Sequence, residues 1–309
     1  MPVPAALPVA LPELPDLADH VIGGKATLPA VELLELLVRT VAEQAGWDGR
    51  PPLPLAMTDV SFPRFLPADE IDRCAFEVAL EARDSAVRAT LTSRISLVGD
   101  MRRSRVHAEA TLTWEPSKGS HALPRWFATP SAGKAGGLPT RLGAPITPPP
   151  RPPADLACAF ELPTERVYRE LIPFGPRYCN LHGTVRLGPD GGVGSVRSPE
   201  PPRQPPPLAS CPYLLDAAMH LACVWGQCYA GIVAYPTGFL ARVLTKPTPA
   251  GERRCIVVPT SVEPRRLLCN LWLIDEKGEV CDAVIGLAML PLAAGAPPPQ
   301  WIVLAQDRA

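Results

Sequence analysis

A histidine, two glycines and a proline stand in close order in His20-Val21-Ile22-Gly23-Gly24-Lys25-Ala26-Thr27-Leu28-Pro29, which runs into the apolar stretch Ala30-Val31-Glu32-Leu33-Leu34. Imidazole has an unperturbed pKa of about 6.5, which suits it to moving protons near neutrality. Glycines let a backbone approach a ligand closely, and the first N–H groups of a helix are free to hold a carbonyl oxygen or an anion. A titratable ring beside such donors is a piece of catalytic machinery; the same residues also read as a plain turn that His20 caps and the glycines shape. A second stretch, Pro212-Tyr213-Leu214-Leu215-Asp216-Ala217-Ala218-Met219-His220, sets Asp216 and His220 four residues apart, on one face of a helix. That run stays almost wholly apolar to Gly231, so a carboxylate within it must be paired or protonated. Its alternative is a helix cap, since Asp216 lies near the start.

Two helices must position these groups. Val31, Leu34, Leu37, Val38 and Val41 recur at helical spacing from Pro29 to about Gln44, with Pro29 suited to a first turn. The second helix spans about Tyr213–Tyr229. After the first come a segment from Leu53 to Phe65 and three strands at Ile71–Leu80, Ala86–Val98 and Arg105–Trp114; Arg88, Thr90, Thr92 and Arg94 alternate with Val87, Ala89, Leu91 and Ser93 as one wet and one dry face. The Met101–Arg105 basic cluster reads as a solvated hairpin turn. Gly and Pro then dominate, ending in Pro148-Pro149-Pro150-Arg151-Pro152-Pro153, a semi-rigid linker. Beyond it, Ala157–Leu162 and Val167–Ile172 precede a Gly175-Pro176 turn, and Leu181–Leu187 and Gly194–Arg197 form a hairpin. After the second helix the strands resume at Phe239–Thr245, Arg254–Val262, Leu267–Ile274 and Val280–Leu290. The division is 1–138, a linker at 139–155, 156–295 and a tail at 296–309. A helix followed by an antiparallel meander occurs twice, with no residue-level identity between the halves.

The 309 residues are 47% hydrophobic and 20% charged, a balance suited to a globular core. A net charge of -1 gives no reason to expect a nucleic-acid surface. Met1–Pro15 is apolar but broken by prolines and lacks a basic leader, a poor signal peptide, and no apolar stretch of about 18 residues suggests a membrane span. The expectation is a cytoplasmic protein. Nine cysteines without a CxxC pair fit neither a disulfide framework nor a metal site; a Cys/His nucleophile at Cys179 or Cys223 has no supporting signature.

The stretches resemble, in order and spacing, motifs of the dehydratase domains of polyketide and polyunsaturated fatty acid synthases. His20, Gly24 and Pro29 fit HxxxGxxxxP; Asp216 and His220 fit Asp followed four residues on by Gln or His; Phe174-Gly175-Pro176-Arg177-Tyr178 is similar to tyrosine-Gly-Pro-x-aromatic; and Pro236, in Tyr235-Pro236-Thr237-Gly238, echoes a further loop. The resemblance spans about residues 15 to 292. It implies an α+β double hotdog, in which each half wraps a long helix in an antiparallel sheet and the site forms where the helices meet. It implies loss of water from a 3-hydroxyacyl thioester carried on the phosphopantetheine of an acyl carrier protein, in polyketide or fatty acid biosynthesis, with no further cofactor and no metal. His20 would be the base, Asp216 the acid with a raised pKa, His220 its support, and the Gly24 N–H, at the helix entrance, the donor to the thioester oxygen. Pro29, Phe174, Gly175, Pro176, Tyr178 and Pro236 would shape the substrate site. Implied partners are the carrier protein, other synthase domains and a second copy of the chain. Phe174 departs from the pattern by lacking the usual tyrosine hydroxyl. The same fold also implies rival readings: an enoyl isomerase, a product-template-like cyclase, or a non-catalytic module that would be expected to lose His20 or Asp216.

Overall fold

The computed structural model describes residues 5–11, 13–47, 53, 55–83, 86–96, 102–114, 150–201, 207–208, 210–248, 250–292 and 297–303. The predicted linker lies outside them as far as residue 149. In the first half the strands are β1 (Ala5–Val9), β2 (Val21–Ile22), β3 (Lys25–Ala26), β4 (Leu55–Ser61), β5 (Ala75–Arg83), β6 (Ala86–Ser96) and β7 (Arg102–Trp114), with helices α1 (Ala30–Ala45) and α2 (Ala68–Ile71). The second half holds β8 (Phe160–Pro163), α3 (Thr164–Glu170), β9 (Leu181–Gly188), β10 (Gly191–Arg197), α4 (Pro212–Trp225), β11 (Ala234–Leu244), β12 (Glu252–Glu263), β13 (Arg266–Ile274), β14 (Val280–Pro291) and α5 (Gln300–Val303). A π-helical turn, Gly226–Ala230, extends α4.

Twelve strands make one antiparallel sheet in the order β1-β5-β6-β7-β4-β11-β14-β13-β12-β10-β9-β8, and β2 and β3 form a separate hairpin. The halves are contiguous in that order and join where β4 pairs with β11, from Leu55 opposite Leu244 to Ser61 opposite Gly238. α1 packs on β5, β6 and β7; α4 packs on β9, β10, β12 and β13; the two helices touch each other. Their apolar faces explain this seating: Leu34, Leu37 and Val41 on α1 and Leu214, Ala218 and Leu221 on α4 are at most 1% exposed. Each half is thus a helix wrapped by an antiparallel sheet, the α+β architecture expected of a double hotdog.

Several elements differ from the sequence reading. The strand expected from Ile71 begins at Ala75, because Pro67 opens a short helix with Asp69 and Glu70 in its first turn. Residues 167–170, expected to begin a strand over 167–172, belong to α3 instead; Pro163 precedes that helix and Arg166 pairs with Glu170 at 3.2 Å one turn on. The hairpin expected at Met101–Arg105 is the beginning of β7 over its described residues, with Arg105 bonded to Glu70 at 2.8 Å. Residues 300–303, read as tail, form α5: Ile302 is fully buried and the Arg166 guanidinium lies 3.5 Å from the Trp301 ring centroid. β1 was not expected, and its Pro8 is tolerated because β1 is an edge strand. All nine cysteines are free thiols. No helix among the described residues is long and apolar enough to cross a membrane.

Candidate active site

His20 follows the 3-10 turn Leu17–Asp19 and enters the β2–β3 hairpin. Gly23 and Gly24, at φ 59° and 80°, close that hairpin in the two-residue conformation that glycines adopt without strain. The return strand brings Thr27 back over His20. The Thr27 N–H donates to the His20 carbonyl at 2.9 Å, and His20 Nδ1 lies 2.6 Å from the Thr27 carbonyl oxygen. A carbonyl only accepts, so Nδ1 carries the hydrogen and Nε2 keeps its lone pair.

The ring is seated by the second half of the chain. The Gly175 N–H donates to the Asp19 carbonyl at 2.7 Å, the Arg177 N–H donates to the Asp19 carboxylate at 3.0 Å, and the Arg177 side chain pairs with Asp16 at 3.1 Å. Gly175 has to be glycine: a Cβ there would stand 2.6 Å from the Asp19 Cβ and closer still to its carboxyl group. Either side of this latch, the Phe174 and Tyr178 rings lie 4.5 and 5.0 Å from the His20 ring. The Phe-Gly-Pro-Arg-Tyr stretch therefore positions the His20 ring rather than lining the cavity along its length.

Asp216 and His220 face the same space from α4. The cap position is Cys211, so Asp216 lies inside the helix and is not its cap. His220 Nε2 is 3.0 Å from Asp216 Oδ2. On the other side of the ring, Nδ1 is 3.2 Å from the Tyr168 hydroxyl, which accepts the Leu181 N–H at 2.7 Å. Phe174 packs against both imidazoles, with its centroid 5.1 Å from that of His220. His20, Asp216 and His220 are 4%, 7% and 4% exposed.

All three line one cavity of about 220 Å³. Its walls are mostly apolar, including Leu28, Leu33, Ile172, Phe174 and Met219, with Gln227 from the π-helical turn as a further polar group. Exposed Arg64 and Phe65 stand at its edge beside Tyr235, whose ring centroid is 4.6 Å from that of Phe65. Of the expected site residues, His20, Phe174, Asp216, His220 and Pro236 line it. Gly24, Pro29, Gly175, Pro176 and Tyr178 do not. Gly24 is at the exposed tip of the hairpin, six positions before α1, so its expected place at the helix entrance is corrected; Gly23 reaches the wall, and Ala30 brings the start of α1 to it. Pro29 instead precedes α1, its carbonyl accepting the Glu32 and Leu33 N–H groups at 3.0 and 3.3 Å.

Burial lowers the pKa of His20 from its ordinary 6.5, against opposing pulls from Asp216 and the Thr27 carbonyl. For Asp216 burial pushes upward, as expected from the sequence, but the charge and hydrogen bond of His220, with His20 behind them, outweigh it and hold the carboxyl below its ordinary 3.8. The expectation of a raised value reckoned with burial and left out the imidazoles. Thr27, Asp19 and Tyr168 were missed as well. A buried tyrosine needs a partner for its hydroxyl, but the sequence does not say which.

A family model described as the polyketide synthase dehydratase N-terminal domain matches residues 146–299, the half that carries Asp216. No curated protein sequence matches the chain. Solved structures similar to it include the dehydratase domain from the CurJ module of curacin polyketide synthase, at 16% identity and TM-score 0.64 over 90% of this chain and 87% of that one. The dehydratase domain of RzxB from Pseudomonas fluorescens is 15% identical with TM-score 0.65, covering 93% of each chain. An inactive CurK dehydratase mutant, histidine replaced by phenylalanine, is 16% identical with TM-score 0.63, covering 91% of this chain and 89% of that one. With its fold shared along nine-tenths of its length and its second half matched by the family model, the chain belongs to the double-hotdog dehydratase family of polyketide synthases.

Proposed function

We propose that the protein removes water from a 3-hydroxyacyl thioester held on the phosphopantetheine arm of an acyl carrier protein, giving a 2-enoyl thioester. The observation that carries this reading is an imidazole fixed with Nε2 unprotonated, in one apolar cavity with a buried carboxyl group. His20 Nε2 takes the proton from C2 as the C2–C3 double bond forms. The C3–O bond breaks, and the departing oxygen takes a proton from the Asp216–His220 pair and leaves as water. The thioester oxygen, which gains negative charge, is served by the start of α1, where Ala30 meets the cavity and the first N–H groups lack intrahelical partners. The apolar walls suit an acyl chain, and Phe174 in place of a tyrosine keeps the space beside the two imidazoles free of a hydroxyl group. The inactivity of the CurK mutant lacking a histidine agrees with histidine chemistry in this fold.

The test is mass spectrometry of 3-hydroxyacyl pantetheine thioesters incubated with wild type, His20→Ala and Asp216→Asn. Loss of one water with wild type, and a rate lower by roughly 10²-fold or more in each variant, is the expected result. An inert wild type across several chain lengths overturns the reading; a shifted double bond in an enoyl thioester would then identify an isomerase, and ring closure of a longer chain a cyclase.

A further inference from the structure

We propose that Tyr168 is a positioning residue that fixes His220 as the neutral imidazole protonated on Nε2, so that His220 acts on Asp216 as a hydrogen-bond donor and not as a counter-ion. The argument starts at the backbone. The Leu181 N–H points at the Tyr168 oxygen from 2.7 Å and occupies one of its lone pairs. The tyrosine is 8% exposed, so its own hydrogen also has to be placed, and His220 Nδ1 lies 3.2 Å away. Nδ1 must then accept. The ring hydrogen is left on Nε2, which lies 3.0 Å from Asp216 Oδ2.

Protonating His220 would put a second N–H against the tyrosine oxygen. Tyr168 would then face two donors with its own hydrogen unplaced in a buried site, a penalty on the imidazolium form. The other titratable groups around the pair do not replace it. His20 comes from the first half, and burial keeps it neutral by lowering its pKa. Cys223, which lines the same cavity, and Cys179 beside Tyr168 are held as thiols by burial, and burial likewise keeps the Tyr168 phenol protonated. Phe174 covers the pair with an apolar ring. The consequence for chemistry, which rests on the dehydratase reading, is that Asp216 faces a neutral neighbour. The pull of a charged His220, which would hold the carboxyl low, is then absent, and Asp216 takes up the proton it must give to the departing hydroxyl more readily than it would beside an imidazolium.

Long-range ¹H–¹⁵N NMR of the whole protein, labelled at histidine nitrogens, tests this directly. His20→Asn and His220→Asn serve to assign the two rings. At pH 7.5 the wild type is expected to show His220 neutral with hydrogen on Nε2 and His20 neutral with hydrogen on Nδ1. In Tyr168→Phe, which keeps the ring and removes the hydroxyl, the share of neutral His220 with hydrogen on Nδ1 is expected to rise about tenfold. An unchanged His20 pattern reports that the fold is intact. A wild-type His220 that is cationic or protonated on Nδ1, or a His220 pattern indifferent to Tyr168→Phe, overturns the proposal. In the elimination assay the same variant is expected to lose about tenfold in kcat at unchanged KM; unaltered kcat with an altered His220 overturns the positioning role. A wild type with the expected tautomers and no elimination overturns the dehydratase reading and leaves the tautomer assignment supported.

Discussion

At the scale of single residues, the base role proposed for His20 rests on its being kept uncharged. Burial holds the folded-state pKa of His20 below 6.5, so Nε2 is available throughout the neutral range, and the acid limb of the elimination rate is expected below pH 6.5, read from initial rates across a pH series. The same shift has a stability consequence. His107, buried with Nε2 2.8 Å from the Ser93 hydroxyl, is also lowered, chiefly by burial. Below about pH 6.5 the unfolded chain binds more protons than the folded one at both histidines, and folding loses free energy as pH falls. Urea denaturation should give a lower midpoint at pH 5.5 than at 7.5, and His107→Gln should flatten that difference. The identities of His20, Asp216 and His220 were legible because their residue types and spacing carry chemistry. The ring hydrogens were not: Thr27 and Tyr168 decide them, and both meet their histidines through the folded chain.

At the scale of elements, helices and meanders were readable where periodicity was strong, as in α1, α4 and the strands from β11 to β14. Short elements were not, since β1, α2 and α3 depend on what lies beside them more than on their own pattern. The Phe174–Tyr178 stretch shows the difference between finding a motif and knowing its work. Its glycine and the Arg177 amide hold Asp19, and Asp19 holds His20. Gly175→Ala is therefore expected to lower kcat by tenfold or more, through a misplaced base, since about 1 Å of displacement can cost far more. Asp19→Asn, which keeps an acceptor for Arg177, should fall between this variant and wild type. Steady-state kinetics on the pantetheine thioester measure both.

At the scale of the whole molecule, β11 is the strand on which the halves meet, and it is pinned by a buried ion pair. Arg242 on β11 reaches Asp282 on β14 through its Nε, 3.1 Å from one carboxylate oxygen, and its Nη2, 2.6 Å from the other, with Asp282 fully buried. Asp282→Ala leaves the guanidinium without its partner and is expected to cost about 3–5 kcal/mol in chemical denaturation, whereas Arg242→Met with Asp282→Leu should cost much less. The seam itself was beyond the sequence, because neither β4 nor β11 carries a mark of its partner. The latch on Asp19 has a genetic corollary. His20 is encoded in the first half, but the rings at 174 and 178 and the amides that seat it are encoded more than a hundred codons later. A fragment ending at residue 138 would carry the histidine without the surroundings that seat its ring, and recombination that exchanged one half for a relative's would have to preserve the fit of Asp19 to residue 175 or lose that seating while keeping both motifs.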